Sequence, residues 1–186
     1  MIVLISGPCA GGKTTVSRIL ADSAGARSVH MHTDDFYAYI RWGYVPPWQE
    51  EAAEQNQAVI CAAAACAEQY ALGGYQVYVD GVVGPWFLDA WKRLGEKGLD
   101  LRYVILRPDE RTTLLRAKER EKRTGLLLGE ETVAAMWRAF DGLGEYEAHV
   151  LDPGGLTPEA CAETLRARLA AGEYGLRGGG SIIRER

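Results

Sequence analysis

The chain has 186 residues, enough for one domain with a single sizeable core, and its 47% hydrophobic and 25% charged residues are an ordinary balance for a folded globular protein. A formal net charge of −4 leaves no basic excess with which to displace counterions from a polyanion, which argues against nucleic acid as a partner. The four cysteines, Cys9, Cys61, Cys66 and Cys161, form no C-x-x-C pair and no metal-ligand spacing with the three histidines, so the expectation is reduced thiols rather than a disulfide framework or a zinc module.

Five short apolar runs, Ile2–Ser6, Ser28–His32, Gln76–Asp80, Leu101–Leu106 and His149–Asp152, read as strands. The first is far too short to span a bilayer and no later run reaches that length, so a soluble, cytoplasmic protein without a membrane anchor is expected. Helical segments separate the runs. One starts at Lys13 and runs towards Ala24, with Gly25 placed to end it. A long Ala- and Gln-rich helix follows Pro46-Pro47 and covers Trp48 to Leu72, where Gly73-Gly74 stops it. Pro85 starts another through Leu94, and Asp109 starts a charged helix reaching Arg123 before Thr124-Gly125. Two more cover Glu130–Phe140 and Pro158–Ala171. This alternation predicts an α/β fold, a five-stranded parallel sheet with helices on both faces. Residues 1–171 form a single domain in this reading. The Gly- and Arg-rich stretch 172–186, with Gly178-Gly179-Gly180 and Ile182-Ile183 inside it, is expected to be a flexible tail.

The segment Gly7-Pro8-Cys9-Ala10-Gly11-Gly12-Lys13-Thr14 fits G-x-x-x-x-G-K-[ST], the Walker A pattern, and Thr15 extends the hydroxyl run. Each position has a physical task. The glycines let the loop fold tightly, so that backbone N–H groups point inward at phosphate oxygens. The helix starting at Lys13 adds its positive end. Lys13 brings a charge to the β- and γ-phosphates, and the Thr14 hydroxyl is a magnesium ligand. The motif lies between an apolar strand and an amphipathic helix, where this mechanism needs it, and it makes ATP and Mg2+ the expected ligands.

The second run ends in His30-Met31-His32-Thr33-Asp34-Asp35-Phe36-Tyr37. Ligands of open α/β sheets collect at the carboxyl ends of strands, so Asp34-Asp35 fall on the same rim as the glycine-rich loop. A carboxylate there can orient an acceptor hydroxyl and take its proton. Asp34 is favoured for that chemistry, and Asp35 for capping a short turn or lining the acceptor site. A P-loop, a strand and Asp-Asp-Phe-Tyr in this order resemble the P-loop kinases that include uridine kinase and nicotinamide riboside kinase. They also resemble the chloramphenicol phosphotransferase and tunicamycin-resistance ATP-binding families. Over residues 1 to 152 the resemblance implies a P-loop NTPase fold, with Asp34 as catalytic base and ATP-dependent transfer to a small hydroxyl-bearing acceptor, an antibiotic, nucleoside or other natural product.

Asp80-Gly81 closes the third strand. It reads either as a Walker-B-like acid, with Asp80 and neighbouring Asp34 near magnesium, or as an ordinary strand-ending turn. Arg116, Arg120 and Arg123 recur along one helix face and either reach the transferred phosphate or pair locally, as Glu119 with Arg123. The resemblance implies an arginine-bearing lid over about 109–129 with Gly125 as hinge, Arg107 near the lid or nucleotide, and the loop Asp152–Leu156 beside the adenine. Phe36, Tyr37, Tyr39, Trp42, Tyr44 and Trp48 crowd a predicted loop around Arg41. With Trp86, they read as an acceptor-site wall or as core. His30 and His32 share a strand face and, without a third ligand, read as structural. Two other functions stay open. A polynucleotide 5′-end kinase pairs a P-loop with Arg-Asp-Asp-Tyr, but Thr33 stands here where such enzymes have Arg. A nucleotide-binding switch or ATPase would need a partner surface. The residues leave the oligomeric state open, a homodimer included.

Overall fold

The computed structural model describes residues 1–125 and 128–176. Five parallel strands form one sheet: β1 (Ile2–Ser6), β2 (Ser28–His32), β3 (Gln76–Asp80), β4 (Leu101–Leu106) and β5 (Val150–Leu151) in the order β2-β3-β1-β4-β5. Their apolar runs are near-continuous because both faces are covered. On one face Ile2, Leu4, Val77, Val79 and Ile105 pack beneath α3 (Ala53–Leu72) and α4 (Asp89–Glu96). On the other, Val3, Ile5, Tyr78, Val104 and Leu106 pack against α1 (Lys13–Asp22) and α7 (Pro158–Ala170). The expected α/β architecture with helices on both faces is the observed one.

Several boundaries differ from the expectation. A six-residue helix, α2 (Thr33–Ala38), starts at the residue after β2 and carries the acid pair together with Phe36 and Tyr37, which were expected on a loop. The long helix is not continuous from Trp48: Glu50–Ala52 make a single 3-10 turn before α3. Pro85–Phe87 likewise make a 3-10 turn separate from α4. The charged helix α5 (Glu110–Thr124) begins and ends as read: the Asp109 carboxylate accepts from the Thr112 N–H, and Gly125 closes it at φ 70°. After residues 126–127 comes α6 (Glu130–Arg138).

The tail departs from its expectation over its first residues. β5 pairs only with Ile105 and Leu106, so the first half of β4 lacks a neighbour on that side. Residues 172–176 supply one. The Tyr103 N–H donates to Tyr174 O and the Leu176 N–H to Leu101 O, while the Arg102 guanidinium donates to the Gly172 and Glu173 carbonyls. Unpaired strand groups are satisfied this way, and Tyr174 and Leu176 become buried. The glycine run and Ile182-Ile183 lie outside the described residues. No described helix is long and apolar enough to cross a membrane.

Candidate active site

The glycine-rich loop is drawn tight against β4. A Cβ at Gly7, where φ is +133°, would lie 2.2 Å from the Leu106 carbonyl oxygen, so no side chain fits. Ala10 and Gly12 also take positive φ, at 57° and 87°. The loop thereby turns into α1 with Gly12 as its N-cap and Thr14 and Thr15 in the first helical turn. Lys13 is buried, and its ammonium donates to the carbonyls of Gly7 (3.0 Å) and Pro8 (2.7 Å). Burial pushes its pKa down, against the pull of Cys9, Asp80 and Asp34. These features suit a phosphate chain: a backbone nest too tight for a Cβ at Gly7 and Gly11, and a desolvated cation bonded to carbonyls.

Parallel pairing of β2 and β3 sets His32 opposite Asp80. The side chains of His30 and His32 then meet the Asp80 carboxylate, which is fully buried. His30 Nε2 is 2.6 Å from Oδ1, and His32 Nδ1 is 2.9 Å from Oδ2. The Thr14 hydroxyl donates to the same Oδ2 at 2.6 Å. Burial alone would push the Asp80 carboxyl up, but the bonds from His30, His32 and Thr14 outweigh it and hold the group below the ordinary carboxylate range. Among the described residues no group of three or more His, Cys, Asp and Glu is arranged to hold a metal. A hydroxyl and a carboxylate are nevertheless the hard oxygen donors magnesium takes, usually one or two protein ligands beside substrate phosphates.

His32 faces two carboxylates. Its Nε2 lies 3.2 Å from Asp34 Oδ2. With an acid oxygen at each ring nitrogen the imidazole must donate from both, and it is held as a cation, its pKa pushed up to about 10 by Asp34 and then Asp80. Asp34 is shifted the other way, held below its usual range by the His32 bond and helped by Lys13. Thr14, Asp80, His32 and Asp34 thus form one connected chain from P-loop to acid pair. Residue type and alternation hinted at the shared face of His30 and His32, but the partner 48 to 50 positions away was invisible in the sequence.

The other anticipated residues are placed as follows. Asp35 is exposed in the first turn of α2 and caps nothing: His32 is the N-cap residue, without a side-chain cap bond. Phe36 packs on the core and edge-on to Tyr39, while the Tyr37 hydroxyl donates to Asn56 Oδ1 at 2.9 Å. Tyr37 is pushed up to about 12 by burial and by the charge of Asp34 beside it. Arg41 and Trp42 are exposed, Trp42 at 95%. Their loop is nonetheless anchored, because Gln55 bonds both the N–H and the carbonyl of Val45, and Asn56 donates to Pro47 O. Trp86 lies over Gly84 and 5.5 Å from the Phe140 ring.

The three helix arginines diverge. Arg120 is half-buried beside Cys9 and Ala10 of the P-loop, where α5 and α6 pack through Ala117 and Val133. Arg116 reaches Pro153 O in the loop after β5 at 3.4 Å, and Arg123 is exposed. Glu119 is not Arg123's ion-pair partner among the described residues; Glu121 instead accepts from the N–H groups of Leu128 and Gly129 at the start of α6. Arg107, expected near the lid or the nucleotide, is held at the end of β4. Its guanidinium grips both Glu147 carboxylate oxygens at 2.8 Å and the Phe140 carbonyl, tying the end of β4 to the segment before β5.

A family model described as an AAA domain matches residues 3–136. No curated protein matches the chain in sequence. Among solved structures, it is similar to a sugar kinase from Janibacter sp. HTCC2649 (19% identity, 91% of this chain and 94% of that one, TM-score 0.66). It is also similar to the shikimate kinase of Acinetobacter baumannii in complex with shikimate (18%, 92% and 93%, 0.62). The tunicamycin resistance protein of Deinococcus radiodurans is a third (19%, 90% and 94%, 0.61). At these identities the likeness concerns the fold, which is that of P-loop NTPases.

Proposed function

The chain belongs to the AAA domain family, and from that premise we propose that it transfers the γ-phosphoryl group of ATP to a hydroxyl of a small molecule. The observation that carries this reading is the chain of contacts joining the P-loop to Asp34: Thr14 to Asp80, Asp80 to His32, His32 to Asp34. A nucleotide switch has no use for an ionised carboxylate held on the acceptor side of its phosphates, whereas a kinase does.

In this reading residues 7–15 cradle the phosphates and Lys13 neutralises the β- and γ-oxygens. Magnesium would be held by Thr14 and Asp80, with Asp34 next to them, and when bound it neutralises charge on the transferring group. Asp34 orients the acceptor hydroxyl and accepts its proton. Its lowered pKa makes it a weak base, which suits a loose transition state where positioning contributes more than proton affinity. Arg120, the helix arginine beside the P-loop, stabilises charge on the transferring phosphoryl group. Phe36, Tyr37, Arg41 and Trp42 border the acceptor, with Trp86 on the adjacent loop and Asp35 at the rim. Residues 33–56 carry Asp34, Asp35, Glu50, Glu51 and Glu54 against the single basic Arg41. That balance favours a small neutral or cationic acceptor, such as an antibiotic, a nucleoside or another natural product, over a polynucleotide end. The cytoplasm, where ATP is supplied, is the proposed compartment.

The test is a thermal-shift screen of hydroxylated metabolites and antibiotics with a non-hydrolysable ATP analogue and magnesium, followed by phosphoryl transfer from ATP to each hit. Transfer that Lys13→Ala abolishes supports the reading. A parent protein that binds no ATP, or a Lys13→Ala variant that binds it equally well, overturns it.

A further inference from the structure

We propose that His32 is a positioning residue of the transfer site, which aims the Asp34 carboxylate by holding Asp34 through Nε2 while Asp80 holds it through Nδ1. The inference rests on the reading of Asp34 as the residue that orients the acceptor.

The two acids depend on His32 to different degrees. Asp80 is buried and receives three donors, so without His32 it would keep Thr14 and His30. Asp34 is far less constrained. Its side chain is 65% exposed at the start of a six-residue helix, and His32 is its one ion-pair or hydrogen-bond partner among the described residues. A surface carboxylate with no partner samples several rotamers, and only some of them face an acceptor. Bonding Oδ2 to a fixed imidazole selects one and leaves Oδ1 for a hydroxyl.

His32 is itself well placed to act as a fixed point. It is the last residue of β2, its backbone is registered against Asp80, and its ring is clamped at the other nitrogen by the most buried acid of the site. Thr33, the next residue, is buried against Gly81, so the turn from β2 into α2 has little freedom. The position of Asp34 is therefore referred through one imidazole to the strand end that also meets Thr14 of the P-loop. Misplacing a reacting group by about 1 Å can cost on the order of 10²-fold in rate. The competing reading makes His32 a counter-charge for Asp80 alone. Its loss would then lower stability and nucleotide affinity without acting through Asp34.

A double-mutant cycle in the full chain separates the two. The readout is steady-state hydrolysis of magnesium-ATP, with water standing for the acceptor hydroxyl. Calorimetric affinity for a non-hydrolysable ATP analogue with magnesium, and the melting temperature, are measured alongside. His32→Ala should lower kcat by about 10- to 100-fold while KM for ATP changes by no more than a few-fold. His32→Gln, which keeps a donor in reach of one acid, should recover part of the loss. In an Asp34→Asn background, His32→Ala should cost nothing further, because residues acting through one another are not additive. Additive losses, or a change confined to KM or to melting temperature, overturn the inference while leaving Asp34 in its role. An Asp34→Asn variant as active as the parent overturns the base reading and this inference with it.

Discussion

Thr33 rests on Gly81 so closely that a Cβ at Gly81 would lie 1.9 Å from Thr33 Oγ1 and 2.8 Å from Thr33 Cβ. This contact joins the ends of β2 and β3, the two strands that carry His30, His32 and Asp80. Thr33 is buried and branched at Cβ, so few rotamers are open to it. Gly81→Ala should therefore destabilise the fold by about 1–3 kcal/mol, the usual cost of overpacking. The Gly81→Ala/Thr33→Ala double variant should regain part of it. Chemical denaturation of the four proteins in that cycle checks this, and a neutral Gly81→Ala would contradict the packing.

Asp34→Asn keeps the shape of the side chain and removes the base. General-base contributions are typically about 10²- to 10⁴-fold, so kcat for transfer to an acceptor identified by screening should fall by that order. ATP affinity should stay within a few-fold if, as proposed, the carboxylate faces the acceptor. Asp35, exposed and with no cap to lose, should tolerate the same change with a much smaller effect. Transfer and nucleotide binding measured on both variants decide it: an active Asp34→Asn with a dead Asp35→Asn would exchange their roles.

The Arg107–Glu147 pair gives a pH signature. Arg107 holds the Glu147 carboxyl at about 2, below its ordinary value of 4.5. A depressed folded-state pKa contributes stability above the unfolded value and loses it as pH falls through the folded one. The stability gap between the parent and Glu147→Gln should thus be full above about pH 4.5 and close towards pH 2. Because Glu147 is partly exposed, the gap should be modest and should shrink in salt. Urea unfolding of both proteins across that range measures it, and Arg107→Ala should lower stability without weakening ATP binding.

Docking of residues 172–176 on β4 separates two truncations. The chain ending after Leu176 serves as the reference. Ending it after Ala171 removes the buried Tyr174 and Leu176 and uncovers the Leu101–Tyr103 edge. Burying one such side chain contributes about 1.5–3 kcal/mol, so the shorter protein should melt several degrees lower and aggregate more readily. Equal melting temperatures would show that the segment contributes nothing.

What the sequence determined by itself was local. Strand positions followed from apolar runs, and the P-loop from eight consecutive residues whose types dictate their backbone. The ends of α5 were legible because Asp109 and Gly125 act within one turn of where they stand. The place of Asp34 on the ligand rim was legible because it follows a strand's carboxyl end, where open α/β sheets collect ligands. Helix α2 was not: six residues are too few to show a period, and Asp-Asp-Phe-Tyr suits a loop equally well. The tie of His32 to Asp80, the grip of Arg107 on Glu147 and the cover that Tyr174 and Leu176 give β4 were decided only by tertiary structure. Each joins groups 40 to more than 70 residues apart. Strand order, parallel register and the shortness of β5 choose such partners, and nothing within a local window of sequence records them.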